Sequence, residues 1–188
     1  MPAHATWYSD EGAFVAAIAP DFYLEDFPNF QNGVTLNGSQ TTWQAPGANG
    51  YGWDAFAELG LWSLDGALST ASPGDPLVLT FTGSPVTAFG AILYGTDFAG
   101  MVLPDALVTL SLSNGESMQI VANGTDFVGW TGNAPILGLS IEVEQPFGQL
   151  AFSTMDHAYT GILVPEPGTA FALGAGLAAL ALSRRRKP

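Results

Sequence analysis

From Met1 to Ser183 the chain contains neither lysine nor arginine, and Arg184, Arg185, Arg186 and Lys187 are its only such residues. Whatever that stretch folds into must form without Lys or Arg ion pairs. It must also tolerate the mutual repulsion of 17 acidic residues, a load that works against a compact state. Cysteine is absent, which excludes disulfides, thiolate zinc sites and thiol nucleophiles. The fold therefore has to stand on packing or on bound metal. Packing material is plentiful, because 47% of residues are hydrophobic and only 11% are charged, a balance opposite to that of disordered chains. A length of 188 residues supports one core of ordinary size. The net charge of -13 repels phosphate backbones, so nucleic acid is excluded as a partner. No P-loop or Gly-x-Gly-x-x-Gly fingerprint appears.

Glycine and proline number 23 and 13, and turn residues recur at short intervals, which together point to an all-β chain. Strands are expected at Leu77 to Thr82, Val86 to Leu93, Leu107 to Leu112, Ser117 to Val121, Ile136 to Val143 and Gln149 to Thr154, a spacing typical of a β-sandwich. Asn114-Gly115 marks a hairpin, expected as a type I′ turn. Earlier, Ser9 is placed to cap a short helix with Asp10 and Glu11 in its first turn and Phe14, Ala17 and Ile18 on one face, stopped by Pro20. Phe22 to Phe27, Val34 to Leu36 and Thr41 to Trp43 read as further short strands. Ala45 to Gly60, rich in glycine and aromatics, shows no clear period and is expected as a long loop or irregular strands. Asn-x-Ser/Thr triplets at Asn37 and Asn123 read as turn chemistry.

The ends carry address-like features. Ala3-His4-Ala5 has the small-x-small form of a signal-peptidase site, so residues 1–5 are read as the remnant of a cleavage region. At the other end, Val164-Pro165-Glu166-Pro167-Gly168-Thr169 leads into an apolar run through Leu182 and then the basic cluster. Prolines on both sides keep Glu166 extended. The apolar run of about 14 residues is shorter than the ~20 of a comfortable span, and the four cations hold its end on the cytoplasmic side. This tripartite tail resembles the PEP-CTERM sorting signal of exported bacterial proteins. The resemblance implies an exosortase as partner, with Pro165, Glu166 and Pro167 as the recognition and cleavage motif. It further implies insertion of a tail helix in the inner membrane of a Gram-negative cell, with Arg184, Arg185, Arg186 and Lys187 as the retention element. Release to the cell surface or extracellular matrix beside exopolysaccharide would follow. The domain plan is then a jelly-roll-like β-sandwich over 6–163 and a sorting signal over 164–188.

The body resembles, in degenerate motifs, the β-sandwich domains that precede such signals: Leu24-Glu25-Asp26-Phe27 near the start, Phe127-Val128-Gly129-Trp130 with Ile136 to Ile141 as a strand pair, and Met155-Asp156-His157 near the end. In similarly arranged carbohydrate-binding jelly rolls an acidic residue of the first strand and an aspartate of the last share a calcium. That resemblance implies Glu25, Asp26 and Asp156 as calcium ligands, consistent with an all-oxygen donor set. Trp43, Tyr51, Trp53 and Trp62 form an aromatic group in sequence, from which Trp43, Tyr51 and Trp53 are candidates to stack on sugars, with Asp54 or Asn49 accepting hydroxyl hydrogen bonds. Catalysis is not expected: His157 directly follows Asp156, an awkward geometry for an orienting pair, and no Gly-x-Ser-x-Gly elbow is present. The sequence thus reads as an exported structural or adhesive surface protein, with a calcium-dependent carbohydrate-binding module as the alternative.

Overall fold

Side chains alternate between inside and outside in some strands of this chain, whereas others carry runs buried on both faces. The structure, a computed structural model, describes residues 5–145 and 149–164. The expected tail helix, Pro165, Glu166, Pro167 and the Arg184 to Lys187 cluster lie outside the described residues. In chain order the elements are β1 (Thr6–Tyr8), α1 (Glu11–Ala17), β2 (Tyr23–Glu25), β3 (Thr42–Gln44), β4 (Tyr51–Phe56), β5 (Leu61–Leu64), β6 (Ala67–Thr70), β7 (Leu77–Gly83) and β8 (Val86–Thr96). They continue with β9 (Ala106–Leu112), β10 (Ser117–Ala122), β11 (Phe127–Ile136), β12 (Gly138–Val143) and β13 (Phe152–Gly161).

The strands form two antiparallel sheets. The first has the order β1-β11-β8-β13-β6-β5 with β2 also on β13, and the second runs β10-β9-β12-β7-β4-β3. Both contribute to one core, in which Trp53, Leu61, Leu68, Leu77, Leu79, Phe89, Leu93, Leu110 and Ile141 are fully enclosed. A smaller cluster of Phe14, Ile18, Ala88, Phe127 and Tyr159 seats α1 on the first sheet. Glycine makes that seat possible. Gly90 and Gly129 are cross-strand partners, and a Cβ on Gly129 would lie 2.5 Å from the Phe14 ring. The glycine between Phe127 and Trp130 is therefore the socket for the helix.

Several expectations are corrected here. The helix is capped by Asp10, whose carboxylate accepts from Ala13 N at 2.7 Å, and not by Ser9. The Asn114-Gly115 hairpin joins β9 to β10, but Leu112 N donates to Glu116 O and Gly115 N to Leu112 O. With only Gly115 of the loop at positive φ, +89, this is a three-residue turn ending in a bulge and not type I′. Val34 to Leu36 forms no strand. Ala45 to Gly60 holds the regular strand β4, with Tyr51, Trp53 and Ala55 inward. The expected strand Ile136 to Val143 is divided: Ile136 ends β11 in the first sheet, and β12 belongs to the second, so the two are not a pair. The hairpin of β5 and β6, turning at Asp65-Gly66, went unpredicted. Asn37 does serve a turn, accepting from Ser39 N, whereas the Asn123 side chain ties its loop to a remote one by accepting from Asp105 N.

Candidate functional site

Pairing of β2 with β13 sets Glu25 opposite Ala158, so the acidic residues singled out in the sequence lie on neighbouring strands. Glu25 is 5% exposed, and both its oxygens are engaged, Oε2 by the Tyr23 hydroxyl at 2.5 Å and Oε1 by Phe27 N at 2.8 Å. It holds Phe27 in a left-handed conformation, φ +49. Asp26 is exposed on the same turn. Asp156 lies on β13 opposite Ile92 of β8, and its Oδ1 accepts from His157 N at 2.6 Å. Among the described residues no group of three or more Asp, Glu or His is placed to hold a metal ion. No such group forms at the expected calcium ligands Glu25, Asp26 and Asp156, where the buried Glu25 carboxylate is already bonded by Tyr23 and Phe27.

The aromatic candidates are core residues. Trp53 is fully buried and Tyr51 is 6% exposed, so neither can offer a ring face to a sugar. Trp43 is half-buried and joins Trp53, Phe27 and Phe30 in an edge-on cluster with centroids 5.0 to 6.2 Å apart. Trp43 also borders a shallow depression with Glu25 and Asp26, but the ring's contacts are those of packing.

Trp62, the remaining member of the aromatic group, borders a pocket of about 360 Å³. That volume lies at the small end of the roughly 300–1,000 Å³ typical of ligand sites. The walls come from three remote stretches: Trp62 and Leu64 of β5, Phe98 of the loop after β8, and Phe152 at the start of β13. Each wall is braced. Trp62 Nε1 donates to Asn32 Oδ1 at 3.0 Å, and Gly33 leaves room for the indole, since a Cβ there would lie 2.5 Å from it. In the loop, Asp97 Oδ1 accepts from Ala99 N at 2.8 Å and Met101 N at 2.9 Å, which leaves Phe98 85% exposed at the tip. Beneath lies a row of hydroxyls contributed by three adjacent strands. Thr154 Oγ1 stands 2.9 Å from Ser69 Oγ and 3.0 Å from Thr96 Oγ1. All three are buried, and Ser69 and Thr96 line the pocket floor. Sequence reasoning had included Trp62 in the aromatic group but gave no signal for Phe98, Phe152 or the hydroxyl row.

Farther along the same face, β13 changes register. Asp156 faces Ile92 and Tyr159 faces Gly90, so His157 and Ala158 together oppose one residue of β8, a bulge with His157 at φ +48. The bulge brings His157 Nδ1 within 2.8 Å of Asp156 Oδ1, closer than adjacency in sequence suggests, although Nδ1 makes no hydrogen bond. Tyr94 of β8 is pushed up to about 12 by burial, and further by the Asp156 carboxylate. Burial, followed by hydrogen bonds to Glu25 and Glu11, also raises Tyr23 and Tyr159. A raised phenol stabilises the fold fully below its unfolded pKa near 10; above that the unfolded chain ionises first and the contribution falls until the folded pKa is passed. Stability should thus hold up to about pH 10 and drop between about pH 10 and 12. The Tyr94 share is on the order of 2 kcal/mol. Thermal melts against pH check this, and Tyr94→Phe should make the alkaline limb shallower while leaving the part carried by Tyr23 and Tyr159.

Comparison with known proteins bears on the two ends of this description differently. The family model of the PEP-CTERM protein-sorting motif matches residues 163–187. No curated protein matches the chain. Among solved structures, a family two carbohydrate esterase from Cellvibrio japonicus is similar over 86% of this chain and 36% of that one, at 12% identity and a TM-score of 0.32. The chain thus spans about a third of that structure's length, and a likeness this distant carries no argument. Among the described residues no helix is long and apolar enough to cross a membrane. The chain carries a PEP-CTERM sorting motif, which marks an exported protein sorted by an exosortase.

Proposed function

We propose that this exosortase-sorted protein is a surface or matrix component whose body binds extracellular polysaccharide, as an adhesive or structural module and not as a catalyst. The observation that carries the reading is the placement of Trp62, Phe98 and Phe152 around a pocket whose accessible polar lining is Asn32 and Asp97. Pyranose rings present apolar C–H faces and a polar rim. A pocket with aromatic walls and hydrogen-bonding groups answers both. Charge narrows the ligand: Asp97 lines the pocket, and the body has no Lys or Arg to offset its carboxylates. Uronate-rich or sulfated glycans are therefore repelled, and neutral or amino sugars are favoured.

Binding of the purified protein to exopolysaccharide extracted from the producing strain tests this. Phe98→Ala should weaken binding by about 30-fold, the scale of an aromatic hot spot. Its melting temperature should barely move, because an 85% exposed side chain contributes within about 0.5 kcal/mol to folding. A chelator should change nothing. Undiminished binding by Phe98→Ala and by Trp62→Ala together would remove the pocket from this role.

A further inference from the structure

The end of the folded body is tied down as far as Val164, the residue before Pro165. Ala19 N donates to Ile162 O at 2.9 Å and Val164 N to Ala17 O at 3.0 Å, around an antiparallel bridge between Ile18 and Leu163. Leu163 N donates to Thr87 Oγ1 at 2.9 Å. Ile18, 4% exposed, anchors the bridge in the smaller apolar cluster. Pro165 is the next residue after Val164, and the family match begins at residue 163, inside the tied segment.

A protease that takes its substrate as an extended strand needs free backbone groups flanking the motif, because main-chain pairing supplies much of its grip. Here the N–H groups of Leu163 and Val164 and the carbonyl of Ile162 are already paired with the body. We propose that Ile162–Val164 is part of the surface the exosortase engages, and that this segment must exchange its pairing with Ala17–Ala19 and Thr87 for pairing with the enzyme before the tail is removed. Sorting is then gated by opening of one short bridge, while the rest of the sandwich stays folded. The proposal rests on the sorting motif alone and is independent of the sugar pocket.

A lock on that bridge tests it in the full-length protein expressed in the producing strain, with tail loss followed by mass. The chain has no cysteine of its own, and antiparallel bridge partners have Cα atoms about 4.5–5.5 Å apart, within disulfide range. The double variant Ile18→Cys with Leu163→Cys should oxidise outside the cytoplasm and lose its tail at least about tenfold more slowly than either single variant, since the closed bridge can no longer open locally. Inserting after Val164 of the locked chain a flexible spacer of about eight residues followed by a second copy of the Ile162–Val164 sequence should restore processing, because it supplies that segment unpaired, next to Pro165 and beyond the lock. Tail removal from the locked chain at the rate of the single variants would overturn the proposal. So would a locked chain that the spacer fails to rescue, since the lock would then be acting through export or folding.

Discussion

Trp53→Ala should cost about 3–5 kcal/mol, the range for truncating a large buried aromatic. A typical domain has only about 5–15 kcal/mol in hand, so the variant is expected to be largely unfolded well below the melting temperature of the parent. The reason is local: Trp53 is fully enclosed, lies edge-on to Trp43 with centroids 5.3 Å apart, and also meets Phe27 at 6.2 Å. Removing it empties the space between β3, β4 and the turn that Glu25 holds. The indole carries a liability, because Nε1 is buried without a hydrogen-bond partner. Trp53→Phe keeps most of the packing and discards that orphan donor, so it should lose far less, under about 1.5 kcal/mol on the scale of tolerated apolar exchanges. Chemical denaturation of both variants distinguishes this account from a role in ligand binding, in which Phe would fail as Ala does.

Gly60→Ala should be nearly as damaging and should disable the pocket as well. Gly60 sits at φ +109, where side chains are rarely tolerated, and a Cβ there would lie 2.2 Å from the carbonyl oxygen of Gly38. The neighbour is backbone and not a movable side chain tip, so backbone must shift. Strain of this kind costs about 1–3 kcal/mol, and forced repacking costs a similar amount again. The stretch that would be displaced contains Gly38, itself close to the Trp62 ring, and pairs with β5 through Gly38 N to Leu61 O at 2.9 Å. The variant should therefore show a lowered denaturation midpoint and, under conditions where it remains folded, reduced polysaccharide binding. A variant with parental stability would mean that this approach is looser than described.

What could be read beforehand divides along physical lines. The sorting tail was legible because its parts are contiguous and each acts through bulk properties: prolines, apolar length and charge. Strands β9 and β10 were legible because their inside and outside residues alternate, and β7 and β8 because turn residues bound their apolar runs. Strand β4 also alternates, yet Gly52 and Ala55 are so small that Tyr51, Trp53 and Phe56 looked irregular. Strands β5 and β6 were hidden by Ser63, Ser69 and Thr70, polar residues that are buried because each has a hydrogen-bond partner. The Asp65-Gly66 turn was the available signal. For the site, carboxylates were counted as free donors when Glu25 was committed to Tyr23 and Phe27. Phe98 and Phe152 could not be matched to Trp62 by any spacing, because the pairing of β8, β13 and β6 creates that neighbourhood.

The position of β13 has a further consequence for the order in which this protein comes into being. It is the last strand among the described residues, yet it is the spine of the first sheet, pairing with β8 along one edge and with β6 and then β2 along the other. Until Phe152–Gly161 has been synthesised and delivered, β8 with its neighbours and the β5–β6 hairpin remain separate pieces with nothing between them. For a chain made from its amino end, closure of the first sheet is therefore a late event of folding. Chains broken off early never close and stay open to degradation. The address begins within a few residues of the closing strand, so a body that can shut has been made almost to its sorting signal.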